Sequence, residues 1–149
     1  MLVRDVMTTG VMAVRKEDTL RAVASKMISR HCGAIPVVDD DNTLLGIVTL
    51  RDVLLPLYPN MGDYIHDNVH SRDFVNMQEG YPKVMEMKAE DVMTANPFTV
   101  SPDEPVLKAA SYMGLKNLRH IPVAENGKLL GMVTISDINQ GLFFSFGQQ

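Results

Sequence analysis

Two stretches of the chain carry residues whose types and spacing could do chemistry. They read Gly46, Thr49, Asp52 and Gly131, Thr134, Asp137, each set behind a Leu-Leu pair as Gly-x-x-Thr-x-x-Asp. The apolar run before each threonine reads as a buried strand, and the residues after the threonine read as a helix. A glycine in such a strand lets something approach the backbone. A carboxylate accepts two donors at once, and a helix start offers free N–H groups and a positive dipole end to an anion. The same spacing is also a capping box, in which threonine and aspartate satisfy each other's backbone N–H groups without any ligand. Spacing alone leaves both readings open.

The surroundings of the two stretches differ. Arg119 and His120 stand just before Pro122, whereas Gly33 and Ala34 stand at the matching positions before Pro36. Arginine brings a forked, permanently charged donor set suited to phosphate. Lys116 adds charge from the preceding helix, and in the first copy Arg30 and His31 lie one turn further back. Two other constellations carry less. His66 and His70 have a metal-capable i, i+4 spacing, but no third ligand accompanies them and a solvated or lid helix is expected there. Cys32 beside His31 lacks an orienting group, so a structural thiol is expected. No nucleophile, base and oxyanion donors come together, and no catalytic activity is expected.

The elements that must position these residues are visible as an internal duplication. Asp5-Val6-Met7-Thr8 recurs as Asp91-Val92-Met93-Thr94, and Ile35-Pro36-Val37 as Ile121-Pro122-Val123. Roughly seventeen of about fifty positions are identical. Each copy has a short extended piece (Met12–Val14 or Phe98–Val100), then a helix, two strands and a final helix. Leu20, Val23, Ala24, Met27 and Ile28 fall on one helical face, as do Val106, Ala109, Ala110 and Met113. Ser101, Pro102 and Glu104 read as the N-cap, N1 and capping-box residues of the second copy's helix. The strands Ala34–Val38 and His120–Ala124 contain a proline, which places them at an edge or a strand start. The final helices are expected at Arg51–Leu55 and Ser136–Leu142.

The expected fold is α+β: two β-α-β-β-α repeats packed with pseudo-twofold symmetry and a cleft between them, since about fifty residues bury little core alone. The repeats cover residues 2–55 and 88–142. Residues 56–87 form a partly helical insertion with a short helix expected over Tyr64–Met77. Residues 143–149 form a tail whose Phe143, Phe144 and Phe146 are expected to pack on the core or on a second subunit.

Composition narrows the function classes. The 149 residues are 46% hydrophobic and 21% charged, ordinary for a globular chain. A formal charge of -4 gives no general basic face for nucleic acid. One cysteine fits a reducing cytoplasm. No apolar run approaches the roughly 20 residues of a membrane span, and the first five residues do not resemble a signal peptide. The eleven methionines read as adaptable core and interface filling.

Three motifs in the same order, twice, resemble a pair of cystathionine-β-synthase (CBS) domains. The likeness spans about residues 2–142 without the insertion. It implies a pseudo-symmetric module, often a disk-like homodimer, that binds AMP, ADP, ATP or S-adenosylmethionine as a regulatory ligand and modulates a partner protein. It implies no required cofactor and no metal. Carried over residue by residue, Asp137 and Asp52 take the ribose hydroxyls, Thr134 and Thr49 face the phosphates, and Arg119 and His120 contact phosphate. Val14, Val100, Ile35 and Ile121 are candidates for the adenine slot, though each is equally a core position. The second repeat's site is the expected nucleotide site, and the first is expected to be empty or to take an uncharged nucleoside. The competing expectation is a ligand-free dimerisation scaffold. With no attached catalytic segment in view, a stand-alone CBS pair is expected.

Overall fold

The computed structural model describes residues 1–58 and 73–148. In chain order it contains α1 (Val3–Val6), α2 (Leu20–Arg30), β1 (Ala34–Val38), β2 (Leu44–Thr49), α3 (Leu50–Leu54) and a 3-10 turn (Leu55–Leu57). After the residues not described come α4 (Phe74–Gln78), α5 (Tyr81–Val84), α6 (Ala89–Val92) and β3 (Thr94–Ala95). The chain then forms α7 (Val106–Lys116), β4 (His120–Glu125), β5 (Lys128–Thr134), α8 (Ile135–Leu142) and a π turn (Phe143–Gly147). The fold is α+β and contains the β-α-β-β-α pattern twice, with the leading strand of each pattern reduced to one bridging residue. Those bridges are Val14 with Val37 and Val100 with Val123, both parallel.

The chain divides into two compact units. The first comprises Met1–Met12, Val38–Leu44 and Asn96–Gln149; the second comprises Ala13–Val37 and Leu45–Ala95. The sequence repeats and the compact units therefore exchange their leading segments. Thr8, from the first Asp-Val-Met-Thr, bridges Met132 of β5, and Thr94, from the second, pairs with Ile47 of β2. This exchange explains the two glycines. A Cβ on Gly131 would lie 2.5 Å from the Thr8 carbonyl oxygen, and one on Gly46 would lie 2.9 Å from that of Thr94 and 2.6 Å from Met93 Sδ. What approaches the glycine backbone is the other repeat's leading segment.

Packing repeats with the sequence. In the first unit Val3, Val100, Val106, Ala109, Met113, Ile121, Val123, Val133 and Ile138 form one core cluster. The equivalent positions of the second unit, from Ala89 and Val14 through to Val48 and Val53, are buried too. Each unit thus draws its first core residue, Val3 or Ala89, from the exchanged segment. The prolines are accommodated at positions where no backbone donor is called for. Pro122 sits opposite Met132 in β5, whose own backbone N–H and C=O bond to Thr8. On its other side Pro122 only accepts, from the Val100 N–H at 3.1 Å, so no donor is missed.

Two expectations are corrected. The second copy's helix starts at Val106, not after Ser101. Pro105 biases Glu104 away from helical backbone, so Ser101–Glu104 closes a turn instead, with Ser101 Oγ accepting from the Asp103 N–H. Ile28, assigned to the apolar face of α2, is 71% exposed. Leu20, Val23 and Met27 already fill that face, and Ile28 falls on its border. The turn Asp39–Thr43 between β1 and β2 is docked by side-chain bonds: Asn42 Nδ2 donates to the Leu129 carbonyl and Lys128 Nζ to the Asp41 carbonyl and Thr43 Oγ1. Of the two places expected for the tail phenylalanines, the core is not the one taken within the chain: Phe143, Phe144 and Phe146 are 51%, 62% and 59% exposed. The helix expected over Tyr64–Met77 and the His66–His70 pair lie largely or wholly outside the described residues.

Candidate functional site

The second unit's β2 and the first unit's β5 each run into a helix through a threonine in extended conformation. Both junctions are full capping boxes. Thr134 Oγ1 accepts from the Asp137 N–H at 3.1 Å, and Asp137 Oδ2 accepts from the Thr134 N–H at 2.9 Å. In the other repeat Thr49 and Asp52 do the same at 3.3 and 2.9 Å. The capping reading is therefore realised twice. It leaves chemistry over, because each box uses only Oδ2 of its aspartate. Oδ1 carries no hydrogen bond among the described residues, and each threonine hydroxyl, having accepted, still has its hydrogen to donate.

Register places the other candidates of the second repeat. His120 opens β4 and lies directly across from Thr134 at the end of β5. Its imidazole is half-buried and is held below the ordinary histidine range, first by burial and then by the neighbouring Arg119 guanidinium, with Asp137 pulling the other way. Arg119 is exposed at the turn between α7 and β4. The structure thus brings Arg119, His120, Thr134 and Asp137 together at one strand–helix junction. Lys116 is differently engaged, its Nζ lying 4.8 Å from the centroid of the Phe98 ring.

The apolar candidates are placed underneath. Val100 and Ile121 belong to the core cluster of the first unit, and Val14 and Ile35 are as deeply buried in the second. Their side chains support the strands and offer no open surface. In the first repeat, Gly33 and Ala34 bring no side-chain charge to the junction; the Gly33 carbonyl accepts from the Leu50 N–H at 3.1 Å. Ala34 is buried. Cys32 is a free, partly exposed thiol.

One neighbour of the site escaped the sequence reading. Gln140 lines a shallow cavity of about 250 Å³ together with Asp137, Asp5 and Phe144. It lies three residues beyond Asp137 on α8, so the helical i, i+3 rule would have put both on one face. A larger groove of about 460 Å³ between α2 and α5, lined by Ile28, Tyr81 and Met85 among others, contains none of the candidate residues. Among the described residues no three His, Cys, Asp or Glu side chains are grouped so as to hold a metal ion. No described helix is long and apolar enough to cross a membrane.

The family model for the CBS domain matches residues 3–57 and again 89–142. The chain belongs to the CBS-domain family. This CBS pair is 35% identical over 138 residues to the uncharacterized protein YlbB of Bacillus subtilis, covering 92% of this chain and 79% of that one. Its fold matches that of CBSX2 of Arabidopsis thaliana in complex with AMP, with a TM-score of 0.74, 24% identity and 97% of each chain covered. It also matches the CBS domain pair of protein MJ0100 in complex with 5-methylthioadenosine and S-adenosyl-L-methionine, with a TM-score of 0.70 and 23% identity, covering 100% of this chain and 98% of that one.

Proposed function

We propose that this CBS pair is a cytoplasmic ligand-sensing module whose second repeat binds an adenosine compound and passes its presence on to a partner protein. The ligand is AMP, ADP, ATP or S-adenosylmethionine. The observation that carries the reading is the junction at Thr134, where a capped helix start, a carboxylate oxygen without a partner among the described residues, an arginine and a half-buried histidine converge. Asp137 Oδ1 accepts a ribose hydroxyl, the Thr134 hydroxyl and the start of α8 face the phosphate, and Arg119 with His120 supplies its countercharge. The adenosine ligands of CBSX2 and of the MJ0100 pair support the ligand class. The first repeat, with Gly33 and Ala34 in place of the two basic residues, is empty or takes an uncharged nucleoside.

Thermal unfolding with AMP, ADP, ATP and S-adenosylmethionine tests this. A ligand present at 100 times its Kd stabilises by about 2.7 kcal/mol. Asp137→Asn keeps a carbonyl acceptor for the cap but loses the charge, and it should remove the shift, as should Arg119→Ala. Asp52→Asn should leave it. No shift with any of the four ligands refutes the reading, and loss of the shift only in Asp52→Asn refutes the choice of site.

A second reading, self-association, rests on the tail. Phe143, Phe144 and Phe146 lie exposed on a turn that continues α8, and Ile135 at the start of that helix is exposed as well. Burying them against a second copy forms a homodimer, and the ligand-free form of this reading makes the chain a dimerisation scaffold.

A further inference from the structure

We propose that His120 is the proton-controlled half of the phosphate subsite, so that the second repeat's preference for a phosphorylated over an unphosphorylated adenosine grows as pH falls. The inference rests on the nucleotide reading above and names how that site is regulated. His120 is fixed by its place in the fold: it is paired in register with Thr134, and Thr134 is itself pinned by the Asp137 cap. Its Cα and Cβ are thereby held across from the end of β5, and the half-buried ring lies within electrostatic reach of Arg119 and Asp137. The charged groups that act on it are Arg119, from the turn before β4, and Asp137, from α8. From β5 it faces the uncharged Thr134, and Lys116 at the end of α7 sits over the Phe98 ring instead.

In the free protein, burial and Arg119 favour the neutral imidazole. Arg119 is then the only permanent cation of the group. A phosphate seated between them reverses the balance, because it offsets the repulsion from Arg119 and favours the imidazolium. The complex takes up a proton that the free protein does not hold. Affinity for the phosphorylated ligand then rises with acidity, by at most tenfold per pH unit for one proton. Adenosine brings no charge and feels no such effect. The first repeat, with Gly33 and Ala34, has no corresponding group.

The experiment is a pair of titrations, AMP and adenosine, at pH 8.0 and pH 6.5, on the whole chain and on His120→Asn. The window stops at pH 6.5 because the second proton of a phosphate monoester binds near pH 6 and opposes the effect. The expected result is that the ratio of the adenosine Kd to the AMP Kd rises severalfold on acidification, with a ceiling of about 30-fold over this window. In His120→Asn the ratio is flat or falls. The His120 ring resonances should titrate at higher pH with AMP bound than without. A flat ratio in the unaltered chain, or a rise that survives in His120→Asn, overturns the inference while leaving the nucleotide site standing. Binding of neither ligand at either pH overturns the nucleotide reading and the inference with it.

Discussion

Replacing Gly131 by alanine tests the exchange of leading segments directly. The new Cβ would lie 2.5 Å from the Thr8 carbonyl oxygen and 3.3 Å from Met7 Sδ. The sulfur can move, but the carbonyl cannot. It accepts from the Met132 N–H at 3.0 Å, and the Thr8 N–H donates to the Met132 carbonyl at 2.9 Å. Relief of the clash must break or stretch that pair. Two backbone hydrogen bonds at about 1 kcal/mol each, with overpacking of about 1 kcal/mol or more, give a loss of roughly 2–4 kcal/mol. For a chain of this size, about 2–4 °C per kcal/mol makes that a fall in Tm of roughly 4–16 °C. Gly114→Ala is the control. It lies inside α7, and a Cβ there meets nothing within 4 Å. Alanine in an exposed helix interior should stabilise by roughly 0.5–1 kcal/mol. The same chemical change thus has opposite signs at the two sites, read by urea unfolding of both variants. If Gly131→Ala stays within about 0.5 kcal/mol of the unaltered chain, the range of a neutral surface change, with Gly114→Ala behaving as expected, Thr8 does not pack against β5 as described.

Two further outcomes concern side chains at the surface of the same unit. His120 has a folded pKa below the ordinary 6.5, so the unfolded chain takes up the proton first; its contribution is present above pH 6.5 and is lost as pH falls below it. Thermal unfolding of the ligand-free chain should therefore show a decline in stability on acidification below pH 6.5 that is shallower in His120→Asn; parallel profiles would contradict the burial of the imidazole. Replacing Phe143, Phe144 and Phe146 together by serine should shift the sedimentation coefficient from a dimer to a monomer at micromolar concentration. An unaltered chain that sediments as a monomer refutes self-association through the tail.

Much of the architecture was legible because duplication constrains it. The strand Ala34–Val38 was placed to the residue, and helix α8 to within one residue at its start, since periodicity and the proline and glycine signals agree in both copies. The start of α7 was misread because Ser-Pro-Asp-Glu satisfies the local rule for a helix start, while Pro105 acts one residue beyond the window of that rule. The exchange of Thr8 and Thr94 was not legible. Both segments have identical sequence, so nothing local says which repeat each one packs on. Only Gly131 and Gly46 hinted at it, by requiring close approach of some backbone. The role of the turn Asp39–Thr43 was hidden for a similar reason. Its bonds to Leu129 and Lys128 join residues more than eighty apart, and a polar turn reads the same docked or free.

The capping box and the ligand site were alternatives only while the sequence stood alone. Geometry makes them compatible. Asp137 spends Oδ2 on the Thr134 N–H, which fixes the carboxylate's orientation and leaves Oδ1 in a defined place. A ribose acceptor needs such a fixed orientation, so in the proposed site the cap would preorganise the carboxylate instead of competing with binding. The same reasoning applies to Asp52, whose bond to Thr49 is equally short. The Gly-x-x-Thr-x-x-Asp motif therefore cannot make the two repeats differ, since both copies build it alike. Any difference in ligand charge must come from outside it. The residues that supply one are Arg119 and His120 in the second repeat, where the first has Gly33 and Ala34. Introducing arginine at Gly33 is the corresponding gain-of-function step. It should confer AMP binding on the first repeat in an Asp137→Asn background if a cation beside the capped aspartate is what the first site lacks, and a folded double variant that ignores AMP would show that the motif and one arginine are insufficient.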